Sequence, residues 1–338
     1  MIAFDGVEIG PGARPFVVAE AGVNFRDDID LAKAFIEEAA DNGADAVKFQ
    51  THVQHEEMVE SEMRDLDLGG LYDRMGVYEL SMAEHRELKA HCEEHGVTFL
   101  STPFSVAGVE RLEELGVSAY KVGSGELTNH KLLRTIAETG KPMIVSTGMH
   151  SMETVRDSVA LLDEHADSYM LLYCVSEYPT EPEDFNLGVI DRMAEEFGVP
   201  VGFSDHSTGV EAAAVAMARG AALVEKHFTI DRRLPGGDQE VSVEPEELSK
   251  LAEYAHLCHV TRDDEKELRD DEAAIADWAR HSVVTAEGIS AGEAFTEDNL
   301  TAKRPGTGIP ADEFYDVVGQ TASRDLDANE VVTAEDIT

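Results

Sequence analysis

The chain has 338 residues, 43% of them apolar, which is enough for one large domain and a small one. Its 69 acidic residues against 27 basic ones give a formal net charge of −42, spread along the whole length. Such a field repels nucleic acid and describes a solvated acidic surface of the halophile kind, while apolar runs recurring at regular intervals exclude a disordered chain.

Residues 7–9, followed by Gly-Pro-Gly, read as a short strand and turn able to plug the bottom of a barrel. Residues 16–19 are a compact apolar strand ending in Glu20, and residues 30–42 have helical periodicity closed by Gly43. The next strand, 46–49, contains Lys48 and ends in Gln50. An irregular Met- and acid-rich insertion over 51–77 is long enough to be a lid or rim loop. Ser81-x-x-Glu84 has the capping-box spacing and opens a helix running to His95. Strand 97–100 ends in Ser-Thr-Pro-Phe and precedes helix 105–115. Strand 119–122 leads into Gly-Ser-Gly-Glu, strand 142–145 into Ser-Thr-Gly-Met, and strand 169–175 into Ser-Glu-Tyr-Pro-Thr, each followed by a helical segment. Strand 200–203 runs into Ser204, Asp205 and His206, and strand 222–224 into Glu225, Lys226 and His227.

About eight strand–helix units predict a (β/α)8 TIM barrel. An open doubly wound sheet would need a Gly-rich turn after its first strand, where Glu20-Ala-Gly-Val-Asn24 stands instead. After helix 246–262 the acidic stretch 263–277 reads as a linker, and short β-rich runs at 282–286, 302–303, 317–318 and 330–333 predict a small all-β module. The expected division is a barrel over 1–275 and a small domain over 276–338.

Nearly every predicted strand ends in a polar cluster, and in a closed parallel barrel those ends meet at the rim where such folds do their chemistry. His206 and His227 end consecutive strands, so they either grip a divalent ion with open coordination positions or cap strand ends by hydrogen bonding. Lys48 and Lys121 sit inside apolar strands, where lysine is rare unless paired. They are either in buried ion pairs with a neighbouring Glu or cations kept for an anionic substrate. Thr102, Ser124, Ser146, Ser204 and the glycine-freed amides nearby suit phosphate oxygens. Cys92, Cys174 and Cys258 are odd in number and far apart, which argues against a disulfide framework or structural zinc, and Cys174 reads as a buried small hydrophobe. The N-terminus shows no secretory signal, and no apolar run approaches the roughly 18 residues of a spanning helix, so a cytoplasmic chain with no membrane partner is expected.

The strings A-E-A-G-V-N, V-K-F-Q, S-T-P-F, Y-K-V-G-S-G-E, S-T-G-M, Y-P-T, S-D-H, E-K-H-F-T and K-R-P-G-T-G-I, in this order, resemble the sialic acid synthase family over essentially the whole chain. The resemblance implies a phosphoenolpyruvate-condensing barrel joined to a C-terminal SAF (antifreeze-like, β-clip) domain. It implies an N-acetylneuraminate synthase that joins phosphoenolpyruvate to an N-acetylated amino sugar, N-acetylmannosamine, giving a nine-carbon 2-keto-3-deoxy acid and phosphate. Legionaminic or pseudaminic acid synthesis from a diacetamido-trideoxy hexose is the alternative within the family, and a metal-dependent sugar-phosphate aldolase a more distant one. A divalent ion, manganese with magnesium or cobalt as alternatives, falls to His206 and His227. Lys48, Thr102, Lys121, Ser124, Ser146, Ser204 and Arg280 take phosphoenolpyruvate; Glu20, Gln50, Glu126, Tyr178, Asp238 and Arg304 take the sugar. Glu20, Lys48, Lys121 and His206 are the catalytic set, and Arg304 reaches across a domain-swapped homodimer. The chain departs from the family pattern at Asn24-Phe25-Arg26-Asp27, Ser176 and Gly237-Asp238-Gln239, all near the mouth of the site.

Overall fold

The computed structural model describes residues 1–263 and 265–338; residue 264, inside the stretch read as a linker, lies outside them. The described chain forms two compact units, Met1–Arg262 and Asp263–Thr338.

The first unit opens with an antiparallel hairpin, β1 (Ile2–Phe4) and β2 (Val7–Ile9). Eight parallel strands follow: β3 (Phe16–Gly22), β4 (Ala46–Thr51), β5 (Thr98–Pro103), β6 (Tyr120–Val122), β7 (Met143–Ser146), β8 (Tyr169–Cys174), β9 (Val201–Asp205) and β10 (Leu223–His227). Hydrogen-bonded pairing runs β5-β4-β3-β10-β9-β8-β7-β6, so the last strand pairs with the first of the eight. β5 and β6, at the two ends of that ladder, pack side by side and close the ring. The helices are α1 (Ile29–Asp41), α2 (Gln54–Glu57), α3 (Glu60–Asp65), α4 (Gly69–Val77), α5 (Met82–Glu94), α6 (Val106–Leu115), α7 (His130–Ala137), α8 (Met152–His165), α9 (Gly188–Phe197), α10 (Glu211–Ala218) and α11 (Pro245–Val260). This is the (β/α)8 barrel that the alternation predicts.

Two apolar cores hold it, as strand alternation requires. One lies between strands and helices, where Phe35, Leu88, Leu112 and Leu162 meet residues such as Val17, Val47 and Phe203. The other fills the inside of the ring with Val18, Leu100, Ile144, Met170 and Leu172, and the hairpin's Ile2, Phe4 and Ile9 seal it from one end. Phe4 meets Phe16 edge to face at 5.8 Å. The plug predicted from residues 7–9 is therefore present, and polar chemistry is left to the opposite end.

Local signals are realised where the caps demand it. Ser81 and Glu84 form both halves of a capping box on α5, a device worth about 1 kcal/mol. The segment 51–77 is not an irregular loop: it folds as the short helices α2, α3 and α4.

The second unit comprises α12 (Asp270–Ala279), a two-stranded antiparallel pair β11 (Ser282–Thr285) and β12 (Leu300–Lys303), a short helix α13 (Phe314–Val317) and further isolated bridges. Its own core gathers Val283, Ile289, Phe295, Leu300, Leu326 and Val332. Residue 275, the expected boundary, falls inside α12, because the acidic stretch read as a linker is in part helical. Residue 317 closes α13 rather than starting a strand, whereas Val331 does bridge to Val284.

Candidate active site

Side-chain alternation at the open end of the barrel selects what faces inward. In β10, Glu225 and His227 face a cavity of about 410 Å³, while Lys226 between them turns away. β9 repeats the pattern: Ser204 and His206 line the cavity and Asp205 does not. Lys226 and Asp205 instead pair behind the strands at 3.2 Å, both fully buried. On β4 the parity continues past the strand end, aligning Lys48, Gln50 and His52. The same cavity is lined by Glu20, Thr102, Lys121, Ser124, Glu126, Ser146, Tyr178 and Asp238. Every barrel residue implied by the resemblance thus lies around one space. Arg280 and Arg304 are exposed residues of the second unit, where Arg304 lies over the Trp278 ring at 5.4 Å and donates to the Ala279 carbonyl.

At the heart of the cavity two lysines and two glutamates alternate. Lys48 Nζ lies 2.8 Å from Glu20 and 3.6 Å from Glu225, and Lys121 Nζ lies 3.4 Å from Glu225. Lys48 also donates to Thr102 Oγ1 at 3.2 Å, and Ser204 donates to Glu225 at 3.0 Å. Burial pushes the Lys48 ammonium down, but Glu20 and Glu225 together outweigh it and hold it above its ordinary value. For Lys121 burial prevails over Glu225, and its pKa falls. Glu225 resists burial because both lysines face it, and it stays well below the usual carboxylate range. Glu20 goes the other way: burial dominates and Glu225 adds to it, so its carboxyl is raised despite Lys48. The two carboxylates are therefore pushed in opposite directions, Glu225 down by the lysines and Glu20 up by burial. Ser146 Oγ is buried with no hydrogen-bond partner among the described residues, the state of a donor kept for something else.

The two imidazoles stand side by side with ring centroids 5.5 Å apart. His206 Nδ1 lies 2.7 Å from the Val175 carbonyl, to which it donates, leaving Nε2 with its lone pair toward the cavity, where it now meets Tyr178 Oη at 3.0 Å. Burial, then the neighbouring His206, depresses His227 well below its ordinary value, so it is neutral and able to ligate. Its Nδ1 is buried without a hydrogen bond, 3.8 Å from Asp238 Oδ2. Burial lowers His206, but Cys174 and the Val175 carbonyl outweigh it and hold it above its ordinary value, so it must give up a proton to ligate. Two imidazoles, one oriented by a carbonyl, beside an acidic oxygen, then offer donors for a divalent ion. A separate trio, Glu37, His91 and His95, clusters on the outer faces of α1 and α5 and has no part in this cavity.

Three features escape the sequence reading. Glu225 shares parity with His227 and could have been found from it; the partnership with both lysines could not. Cys174 is not a passive hydrophobe: it lines the cavity with Sγ 3.8 Å from His206 Nδ1, and although burial raises a thiol, His206 draws this one down. His52 is buried, stacks on Phe104 at 4.6 Å, and links Glu57 (3.0 Å) to Gln50 (3.0 Å), whose amide donates to Glu20 at 3.2 Å.

Comparison with known proteins settles the family. The NeuB family matches residues 35–267 and the SAF domain residues 280–338. The chain belongs to the NeuB family. It is 34% identical to the N,N'-diacetyllegionaminic acid synthase of Campylobacter jejuni, over 94% of this chain and 99% of that one. It is 32% identical to the N-acetylneuraminate-9-phosphate synthase of Mus musculus, over 96% and 94%. A crystal structure of the N-acetylneuraminic acid synthetase of Leptospira borgpetersenii, in complex with citrate, superposes with a TM-score of 0.74 at 33% identity, covering 81% of this chain and 94% of that one. This NeuB-family chain is an enzyme of the phosphoenolpyruvate-condensing, sialic acid synthase type with a C-terminal SAF domain.

Proposed function

We propose that the enzyme condenses phosphoenolpyruvate with the open-chain aldehyde of an N-acetylated amino sugar to give a nine-carbon 2-keto-3-deoxy acid and phosphate. The observation that carries this reading is the single cavity joining a lysine pair to an imidazole pair. N-acetylmannosamine is the first acceptor in this reading, with diacetamido-trideoxy hexoses as the alternative.

In this reading Lys48 and Lys121, with Thr102, Ser124, Ser146 and Ser204, hold the donor's carboxylate and phosphate. Glu225 keeps both ammonium groups in place between turnovers. Glu20, Gln50, Glu126, Tyr178 and Asp238 surround the sugar. A divalent ion held by His206 and His227, manganese in the first instance, supplies Lewis acidity toward the aldehyde oxygen. The enol carbon attacks the aldehyde carbon, and Glu20, whose raised pKa keeps a proton within reach, protonates the oxygen that becomes a hydroxyl. Water then adds at C2 of the donor, returning one proton to Glu20, and the tetrahedral species collapses to the ketone as the C–O bond to phosphate breaks and the C2 hydroxyl proton leaves with the phosphate; the lysines stabilise the departing charge.

The proposal includes a cytoplasmic homodimer in which Arg304 of one chain meets the sugar held by the other, and Arg280 the donor phosphate. The test is phosphate release from phosphoenolpyruvate with a panel of amino sugars and Mn²⁺ in high salt. His206→Ala is expected to lose Mn²⁺ binding by calorimetry and at least about 100-fold in rate, with the barrel still folded by circular dichroism. Phosphate release that needs no amino sugar, or full activity in that variant, overturns the reading.

A further inference from the structure

Beside the catalytic cavity lies a second one of about 430 Å³, and the two share Phe104 and Glu126. Its far wall is α4, where Leu71 and Met75 stand four residues apart on one helical face, joined by Met58 from the preceding segment. All three are half-buried, as apolar side chains lining a solvent-reached recess are. The polar part of the wall is mainly acidic: Glu56, Glu57 and Glu126 against exposed Lys131, the only Lys or Arg among the described residues lining the recess. Glu57 engages His52, Glu126 accepts from Asn129 at 3.5 Å and Glu56 lies 3.7 Å from His55, so none of the three is matched by a Lys or Arg of the recess. Burial, with Glu57's charge added to it, raises Glu126, so these carboxylates feel one another across the recess.

The direction in which an acceptor runs follows from the proposed function, on which this step rests. With the aldehyde at His206 and His227 and the hydroxyls passing Gln50 and Glu126, carbons remote from the aldehyde reach the shared wall at Phe104. A phosphomonoester there, a dianion, would need several N–H donors or a guanidinium. It would meet three carboxylates, one ammonium and a methionine-rich wall. A methyl group or an acyl amide would instead cover Leu71, Met75 and Met58 and leave Asn129 to its carbonyl.

We propose that this outer recess is the subsite for the far end of the acceptor sugar, that it takes an uncharged, apolar-tipped substituent, and that it rejects a phosphomonoester. Three carbons of a nine-carbon product come from the donor, so a product phosphorylated at C9 requires a sugar phosphorylated at C6. The relative in Mus musculus whose name specifies a 9-phosphate therefore marks the opposite preference.

The experiment measures kcat/KM, by phosphate release at saturating phosphoenolpyruvate and Mn²⁺, for N-acetylmannosamine, its 6-phosphate and 2,4-diacetamido-2,4,6-trideoxymannose. The expected order places the diacetamido-trideoxy sugar first and the 6-phosphate at least about 100-fold behind it, the scale of a missing set of charge-matched contacts. Met75→Lys, which adds a cation to the recess, should raise the ratio of 6-phosphate to N-acetylmannosamine about tenfold, while Met75→Leu should leave it unchanged. A 6-phosphate used as well as the neutral sugars, or a ratio unmoved in a folded Met75→Lys enzyme, overturns the subsite. N-acetylmannosamine used better than the trideoxy sugar overturns its apolar preference. Phosphate release with no acceptor at all is a different failure: it removes the proposed function, and this subsite with it.

Discussion

Glu225 shows how one side chain sets the working range of others. It is the only group within 4 Å to which both cavity lysines are paired among the described residues, and each lysine owes part of its positive charge to it. Glu225→Gln keeps the shape and a hydrogen bond for Ser204 but removes the countercharge. Both lysines then lose a factor that raises their pKa, and Lys121, already lowered by burial, shifts furthest toward neutrality. A lysine holds an anion only below its pKa, so the basic limb of kcat/KM for phosphoenolpyruvate moves to lower pH in the variant, with activity at pH 9 falling more than at pH 6. A pH–rate profile checks this, and a uniform drop across pH would assign Glu225 a purely steric role. Glu20 behaves in the reverse sense. Its raised carboxyl delivers a proton below its pKa, and Glu20→Gln, which retains a partner for Gln50, should lower kcat by about 100-fold, the usual scale of a lost acid–base group. An unchanged kcat would leave Glu20 only as a sugar contact.

Elements explain which of these residues were legible beforehand. The strand ends were, because a buried parallel strand that stops on polar residues announces the rim, and Ser204-Asp205-His206 and Glu225-Lys226-His227 then divide by parity into facing and hidden side chains. Lys226 stands among the rim polar residues in sequence, yet it shares the outward parity of Asp205 and pairs with it behind the sheet. The outer recess was not legible. Its wall, α4, contains Gly69, Gly70 and Gly76, which weaken any helical signal, and tertiary contacts rather than propensity form it. Two glycines separate the element's needs from the site's. A Cβ on Gly202 in β9 would lie 2.5 Å from the Leu223 carbonyl oxygen and 2.6 Å from Leu172, so the neighbouring strand blocks it. A Cβ on Gly148, after β7, would run into Ser176 Oγ and lie 2.8 Å from Ser124 Oγ, both of which are able to rotate. Gly202→Ala should therefore cost about 1–3 kcal/mol in chemical denaturation. Gly148→Ala should leave stability nearly intact and raise KM for phosphoenolpyruvate through displaced Ser124. The opposite assignment of the two effects would mean that the close approach at Gly202 is not rigid.

The whole molecule carries its charge as a single property. A formal −42 cannot be neutralised by pairing, since only 27 basic residues are present and several are spent inside the barrel. Exposed pairs such as Arg86–Glu114 and Arg64–Asp73 are worth little each and weaken further in salt. The excess acid repels itself in the compact state more than in the expanded one, so screening should favour the fold. The Debye length shortens from about 10 Å at 0.1 M to about 3 Å at 1 M, which is below the spacing of most surface carboxylates. The buried Lys48–Glu20–Glu225–Lys121 group is shielded from this and should not weaken. The net expectation is a thermal midpoint that rises by roughly 10 °C between 0.1 and 1 M KCl, corresponding to a few kcal/mol for a chain of this size. Scanning calorimetry in KCl, with lowered pH as a second axis, separates the causes. Protonating a large share of the surface carboxylates near pH 4, at their ordinary pKa values, weakens the repulsion, so the salt gain should shrink there if self-repulsion is its source. A gain of equal size at both pH values would point to salt-strengthened apolar burial, and a midpoint that falls with KCl would mean that the surface pairs outweigh the excess charge.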